Sequence, residues 1–166
     1  MRGLDLDVLK VVDYGLAKDL KSSAPLRTQE GMLVGNALTI APEVVGGSEA
    51  GPAADLYGLA AVGCQLVTGK PIFDAKTTTE FLMAHVHSEP VRPSARMPSV
   101  PADLEAVLLR SLAKDPETRH ANAAAFRESL LECRDAGTWT QADAARWWAE
   151  HAALRPAAAH AGSAPT

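Results

Sequence analysis

Two cysteines, Cys64 and Cys133, are too few for a disulfide framework or a cysteine-rich metal site, and Cys64 stands inside an apolar run. A reducing compartment is the simpler setting. Aromatic residues amount to only 5%, no Lys/Arg cluster occurs and the net charge is −4, so the concentrated positive charge that phosphate backbones require is lacking. Nucleic acid is not an expected partner. The longest nearly apolar stretch, residues 56–67, falls short of the roughly 20 residues a spanning helix needs. The opening "MRGLDLDV" has no signal-peptide core. No membrane is expected in this segment, and the expected location is cytoplasmic.

What is present is ordinary globular material. Hydrophobic residues make up 47% and charged residues 22%, which suits a single soluble domain with a sizeable core. "VLKVV", residues 8–12, predicts a short strand that ends at Asp13 and Gly15. Between residues 18 and 51 no helical or strand period is sustained, and glycine and proline punctuate the segment; a connection that long is usually functional.

From Pro52 onward the pattern is helical. Pro52 suits a first turn and Gly69 a C-terminal stop, and the run between them is apolar on nearly all faces, which predicts a central, enclosed helix. Gly58 and Gly63 each cost about 1 kcal/mol there relative to Ala, so close packing should offset them. Thr77 and Glu80 have capping-box spacing and open a short helix to about Ser88, before Pro90. A proline-rich bend follows. Leu104, Val107, Leu108 and Leu112 then line one face of a helix opened by Pro101. Asn122 can cap a helix carrying Phe126, Leu130 and Cys133, and Thr140 another carrying Ala144, Trp147 and Trp148. The tail has little large apolar surface and is expected to be disordered.

Two apparent motifs dissolve on inspection. "GCQLVTGKP" has five residues between Gly63 and Gly69 and Pro71 where a magnesium-binding Ser or Thr should stand, so it is a helix end rather than a phosphate loop. His85 and His87, two apart on a helix, point about 200° away from each other and cannot share a metal.

Several weaker signals occur in one order. Asp13-Tyr14-Gly15 alone is a common turn, but it is followed by a long loop, "GNALTIAPE" (35–43), "ADLYGLAAVG" (54–63) and "LAKDPETR" (112–119). Together these resemble the C-terminal lobe of a bacterial, eukaryotic-like serine/threonine protein kinase over residues 8–133. The fold implied is mainly α, a kinase-like C-lobe helical bundle with a short N-terminal strand and a long activation-type loop. The implied organisation is a partial kinase domain over 1–134, a post-domain amphipathic helix over 135–154 and a disordered tail over 155–166.

The resemblance also implies roles. Asp13 would hold Mg²⁺ on the phosphates of ATP, as a hard dication favours carboxylate oxygen, and Gly15 would keep the nucleotide-site turn free. Thr28 first, then Ser22 and Ser23, are the activation-loop phosphorylation candidates. Asn36 and Thr39 would belong to the substrate-docking segment, where they replace the family's Thr and Tyr. Ala60 likewise replaces a Gly. Glu43 would pair with Arg119 as a structural staple, and Asp55 would accept hydrogen bonds from the catalytic-loop backbone. Leaving Asp55 without that loop would orphan a buried polar group and promote marginal stability or self-association.

The family's Gly-rich loop, its phosphate-positioning Lys and its His-Arg-Asp loop belong ahead of Asp13, where only 12 residues stand. No catalytic base is therefore expected among these residues. Two readings follow: a portion of a Ser/Thr kinase acting on a protein substrate with ATP and Mg²⁺ but inactive alone, or a non-catalytic, pseudokinase-like module that binds and regulates a protein partner.

Overall fold

The computed structural model describes residues 37–151, which form seven α-helices and one 3₁₀ turn with no strand among the described residues. The strand expected at residues 8–12 and the tail after residue 154 lie outside them. Residues 37–136 and residues 137–151 belong to separate compact units, each described by itself.

The first helix, α1 (Pro42–Val45), is a single turn with Pro42 in its opening positions. No helix was expected in this stretch, because four residues are too few to set up a 3.6-residue repeat. The central helix, α2 (Pro52–Thr68), carries proline in its first turn and ends on Gly69 at φ +70°, whose N–H returns to the Gln65 carbonyl. Only glycine takes that left-handed conformation cheaply.

The enclosure expected of α2 needs correction. Ala54, Leu56, Tyr57, Ala60, Ala61 and Cys64 are buried, yet Leu59 is 53% and Leu66 80% exposed. The core covers one side only. On the other, Leu59, Val62 and Leu66 join Leu104, Phe126 and Leu130 around an apolar groove of about 230 Å³. The close packing expected at the two glycines is present: a Cβ on Gly63 would lie 2.7 Å from Leu108 Cδ2, and one on Gly58 would lie 3.2 Å from the Thr39 carbonyl oxygen.

Helix α3 (Thr78–His87) starts with the capping box, Thr77 accepting from the Glu80 N–H and Glu80 accepting from the Thr77 N–H. The proline-rich bend contains a further single turn, α4 (Pro93–Arg96). Helix α5 (Ala102–Ser111) packs against α2 through Leu104, Val107 and Leu108, and Leu112 is buried just beyond it. Its Glu105 is buried, accepts from Arg92 Nε at 2.9 Å and from the Ser94 N–H at 2.7 Å, and so ties α4 to α5. Burial would raise that carboxyl, but the hydrogen bonds from Ser94 and Arg92 and the Arg92 charge hold it below its usual range.

A 3₁₀ turn (Pro116–Thr118) leads to α6 (Ala123–Leu131), capped by Asn122 accepting from the Ala125 N–H. Phe126 is buried on it and Cys133 lies past its end. In the second unit, α7 (Gln141–Glu150) begins with a reciprocal box between Thr140 and Asp143. Trp147 meets Trp148 edge-on and stacks on His151. No helix among the described residues is long and apolar enough to cross a membrane.

Candidate functional site

The described part of the candidate site is the segment running from Ala37 into α1, held from below by α2, α3 and the turn after α5. Leu38, Thr39 and Ile40 are half-buried between the buried Ala37 and Ala41. Thr39 lies over Gly58, whose missing side chain admits the Thr39 carbonyl. Each end of the segment is fastened by a buried polar group.

At its C-terminal end, Arg119 Nη1 donates to Glu43 Oε1 at 2.8 Å and Nη2 to Glu43 Oε2 at 2.7 Å, a bidentate pair. The same guanidinium donates to the carbonyls of Ala53 (2.8 Å), Ala113 (2.8 Å) and Lys114 (3.2 Å), which uses all five of its N–H groups. It also lies 5.0 Å from the Tyr57 ring centroid. The Arg119 side chain is fully buried and Glu43 is half-buried at its rim. Burial alone would raise the Glu43 carboxyl, but the hydrogen bonds and charge of Arg119 hold it below the ordinary carboxylate range.

At the N-terminal end, His85 is fully buried on α3, its Nε2 3.0 Å from the Ala37 carbonyl and its Nδ1 2.8 Å from the Tyr57 hydroxyl. Phe73 packs on the ring in a T-shaped contact, centroids 4.9 Å apart. Lys114 donates to the His85 carbonyl at 2.8 Å, satisfying the C-terminus of α3, and sits 5.0 Å over the Phe73 ring. Burial pushes the His85 imidazole down to about 4, and the nearby Lys114 charge acts in the same direction. Burial also lifts the Tyr57 hydroxyl above its usual value.

Among the residues singled out from the sequence, Glu43 and Arg119 are brought together. Asp13, Gly15, Ser22, Ser23, Thr28 and Asn36 lie outside the described residues. Asp55 is exposed at the head of α2 rather than buried, so the desolvation penalty expected for it does not arise. Water and the first-turn N–H groups of the helix suit its charge. No buried side-chain nitrogen or oxygen among the described residues lacks a partner. His85 and His87 diverge as expected, His85 into the core and His87 into solvent. No cluster of three or more His, Cys, Asp or Glu side chains suited to a metal occurs among the described residues.

The sequence did not point to His85, Tyr57 or Lys114 as parts of this site. The residues His85 contacts are 28 and 48 positions away, and such pairs leave no periodic trace. A histidine on an otherwise apolar helix face was the available signal.

A sequence model described as the protein kinase domain matches residues 4–131. The chain is 35% identical over 125 residues to serine/threonine-protein kinase PknB of Mycobacterium tuberculosis, covering 75% of this chain and 20% of that protein. It is 42% identical over 122 residues to serine/threonine-protein kinase Pkn1 of Myxococcus xanthus, covering 74% and 18%. A probable serine/threonine-protein kinase PknB of Bifidobacterium longum is 32% identical over 130 residues, covering 78% and 19%. The chain spans about a fifth of the length of these relatives.

Proposed function

Because the chain belongs to the protein kinase family, we propose that it forms the helical-lobe part of a serine/threonine kinase and holds the peptide-docking segment in ATP-dependent phosphoryl transfer. The observation that carries this reading is the Glu43–Arg119 staple. It joins residues 76 apart and fixes α1, the head of α2 and the turn after α5 around one guanidinium. Rigid backing of this kind suits a segment that must hold a substrate chain in register, since small displacements of a reacting group lower rates steeply.

In this reading Asp13 is the carboxylate for the Mg²⁺ of ATP, which supplies charge neutralisation at the transferred phosphate. Gly15 belongs to the nucleotide site, and Asn36 and Thr39 belong to the substrate-docking segment. Phosphorylation of Thr28, or of Ser22 or Ser23, adds charge that orders the loop leading to that segment. The substrate is a protein Ser or Thr, and transfer requires the nucleotide-cradling half of a kinase domain together with its catalytic loop.

The test is a chimera in which the nucleotide-binding half and the catalytic loop of a similar kinase are joined ahead of this chain. The 166 residues alone should give no phosphate transfer to a Ser/Thr peptide. The chimera should transfer, and Asp13→Asn should abolish it. A chimera that folds and binds ATP with Mg²⁺ but leaves peptide unmodified would refute the reading.

A second reading, a non-catalytic module that binds a protein partner, is favoured by the open apolar groove beside α2. Transfer by the chimera decides between the two.

A further inference from the structure

We propose that His85 is a positioning residue for peptide docking, its ring locking the backbone at Ala37 to Tyr57 of the central helix. The inference rests on the kinase reading for the word docking; the lock itself rests on geometry alone.

The proton positions follow from the partners. A carbonyl oxygen can only accept, so His85 Nε2 must carry hydrogen to bond the Ala37 carbonyl at 3.0 Å. In the neutral ring Nδ1 is then bare, and the Tyr57 hydroxyl donates to it at 2.8 Å. The bonds run in one direction, from Tyr57 through the imidazole to the main chain of the segment. A doubly protonated ring could not accept the Tyr57 proton.

The surroundings keep the ring neutral and immobile. From α2, the Tyr57 ring centroid lies at 5.5 Å; from the loop before α3, the Phe73 ring centroid lies at 4.9 Å in a T-shaped contact. Lys114, after α5, bonds the carbonyl of the same residue, and Arg119 lies 5.0 Å over the Tyr57 ring. Both are cations, with Glu43 neutralising Arg119 at the rim. His85 is fully shielded from solvent and both of its nitrogens are used, so it is neither a free base nor a metal ligand.

The geometry also says which part of the chain is governed. Tyr57 and Gly58 are consecutive in α2: the first anchors Ala37 through His85, and the second admits the Thr39 carbonyl. The segment therefore rests on one turn of the central helix at two places, and its last residues are held by the Arg119 staple through Glu43. Of the two fastenings, the one at His85 is directional and lies next to Leu38 and Thr39.

The experiment has two arms. In the first, amide hydrogen exchange is followed across residues 37–45 of the full chain and its Tyr57→Phe and His85→Gln variants. Tyr57→Phe removes one oxygen and keeps the ring, so it remains informative if His85→Gln does not fold. Loss of the lock should speed exchange at residues 37–41 at least fivefold relative to residues 102–111. Unchanged exchange at 37–41 in Tyr57→Phe would overturn the lock.

In the second arm the same variants are made in the chimera. The KM for peptide should rise at least fivefold, with the KM for ATP unchanged and kcat within twofold. A fall in kcat at constant peptide KM would overturn the docking role. If the unsubstituted chimera transfers no phosphate, the kinase reading fails, while the exchange arm still decides whether His85 holds the segment. Nitrogen-15 shifts of the ring add a signature that a purely space-filling residue would not give: a protonated Nε2 and a bare, hydrogen-bonded Nδ1 that persist from pH 8 to pH 5.

Discussion

Arg119 is the residue on which the described site depends most. Its five donors meet Glu43 and three main-chain carbonyls while the guanidinium itself is fully buried, so removing Glu43 strands that charge rather than releasing it to solvent. Glu43→Ala should lower unfolding free energy by about 3 to 5 kcal/mol, the cost typical of breaking a buried pair. Urea denaturation at pH 7 checks this. The pair came from the resemblance, because two residues 76 apart produce no spacing signal.

The buried histidines set the response to acid. His85 is held down to about 4 from 6.5, and burial also lowers His120, whose Nδ1 is 2.6 Å from Ser111 Oγ. Their folded values lie below their unfolded ones, so the unfolded chain binds more protons in that window. The stability is complete above pH 6.5 and is lost as pH falls towards 4, with His85 contributing on the order of 3 kcal/mol. Below about pH 4.5 the depressed Glu43 carboxyl adds a further loss as it takes up its proton. Unfolding free energies between pH 7 and pH 4 should show this slope, and His85→Gln should flatten its upper part.

At the scale of the element, the junction of α2 with α5 turns on Gly63. A Cβ there would press on Leu108 Cδ2, although Leu108 borders the apolar groove and has room on that side. Gly63→Val should therefore cost about 1 to 3 kcal/mol by overpacking, and the Gly63→Val/Leu108→Ala double variant should lose less than the sum of the two single ones. Chemical denaturation of the four proteins measures the coupling. Helix ends were the most legible part of the sequence: Pro52, Gly69, the Thr77–Glu80 box, Asn122 and Thr140 mark their boundaries through local chemistry. The single-turn helices α1 and α4 were not legible, since one turn has no repeat to detect. The burial of Glu105 was hidden too, because its partners Arg92 and Ser94 come from another element.

For the whole chain, family membership was readable from the order of four short motifs, none of them decisive alone. The open side of α2 was not, because a run apolar all round looks the same whether it is enclosed or half covered. Leu66, 80% exposed at the groove, gives a direct test of what that side does. Leu66→Glu should leave the thermal midpoint within about 2 °C, as surface changes usually cost under 0.5 kcal/mol, and should reduce any concentration-dependent association seen by sedimentation. Unchanged association would place the contact elsewhere.

The carbonyls gathered by Arg119 have a kinetic corollary. Ala53 and the adjacent pair Ala113 and Lys114 come from two distant stretches but share one guanidinium with Glu43, so neither stretch can swing open without releasing the other. They should behave as one cooperative folding unit: in native-state exchange, the protected amides around residues 44–46, 54–57 and 111–113 should reach the same opening free energy together, although the sequence scatters them across the chain.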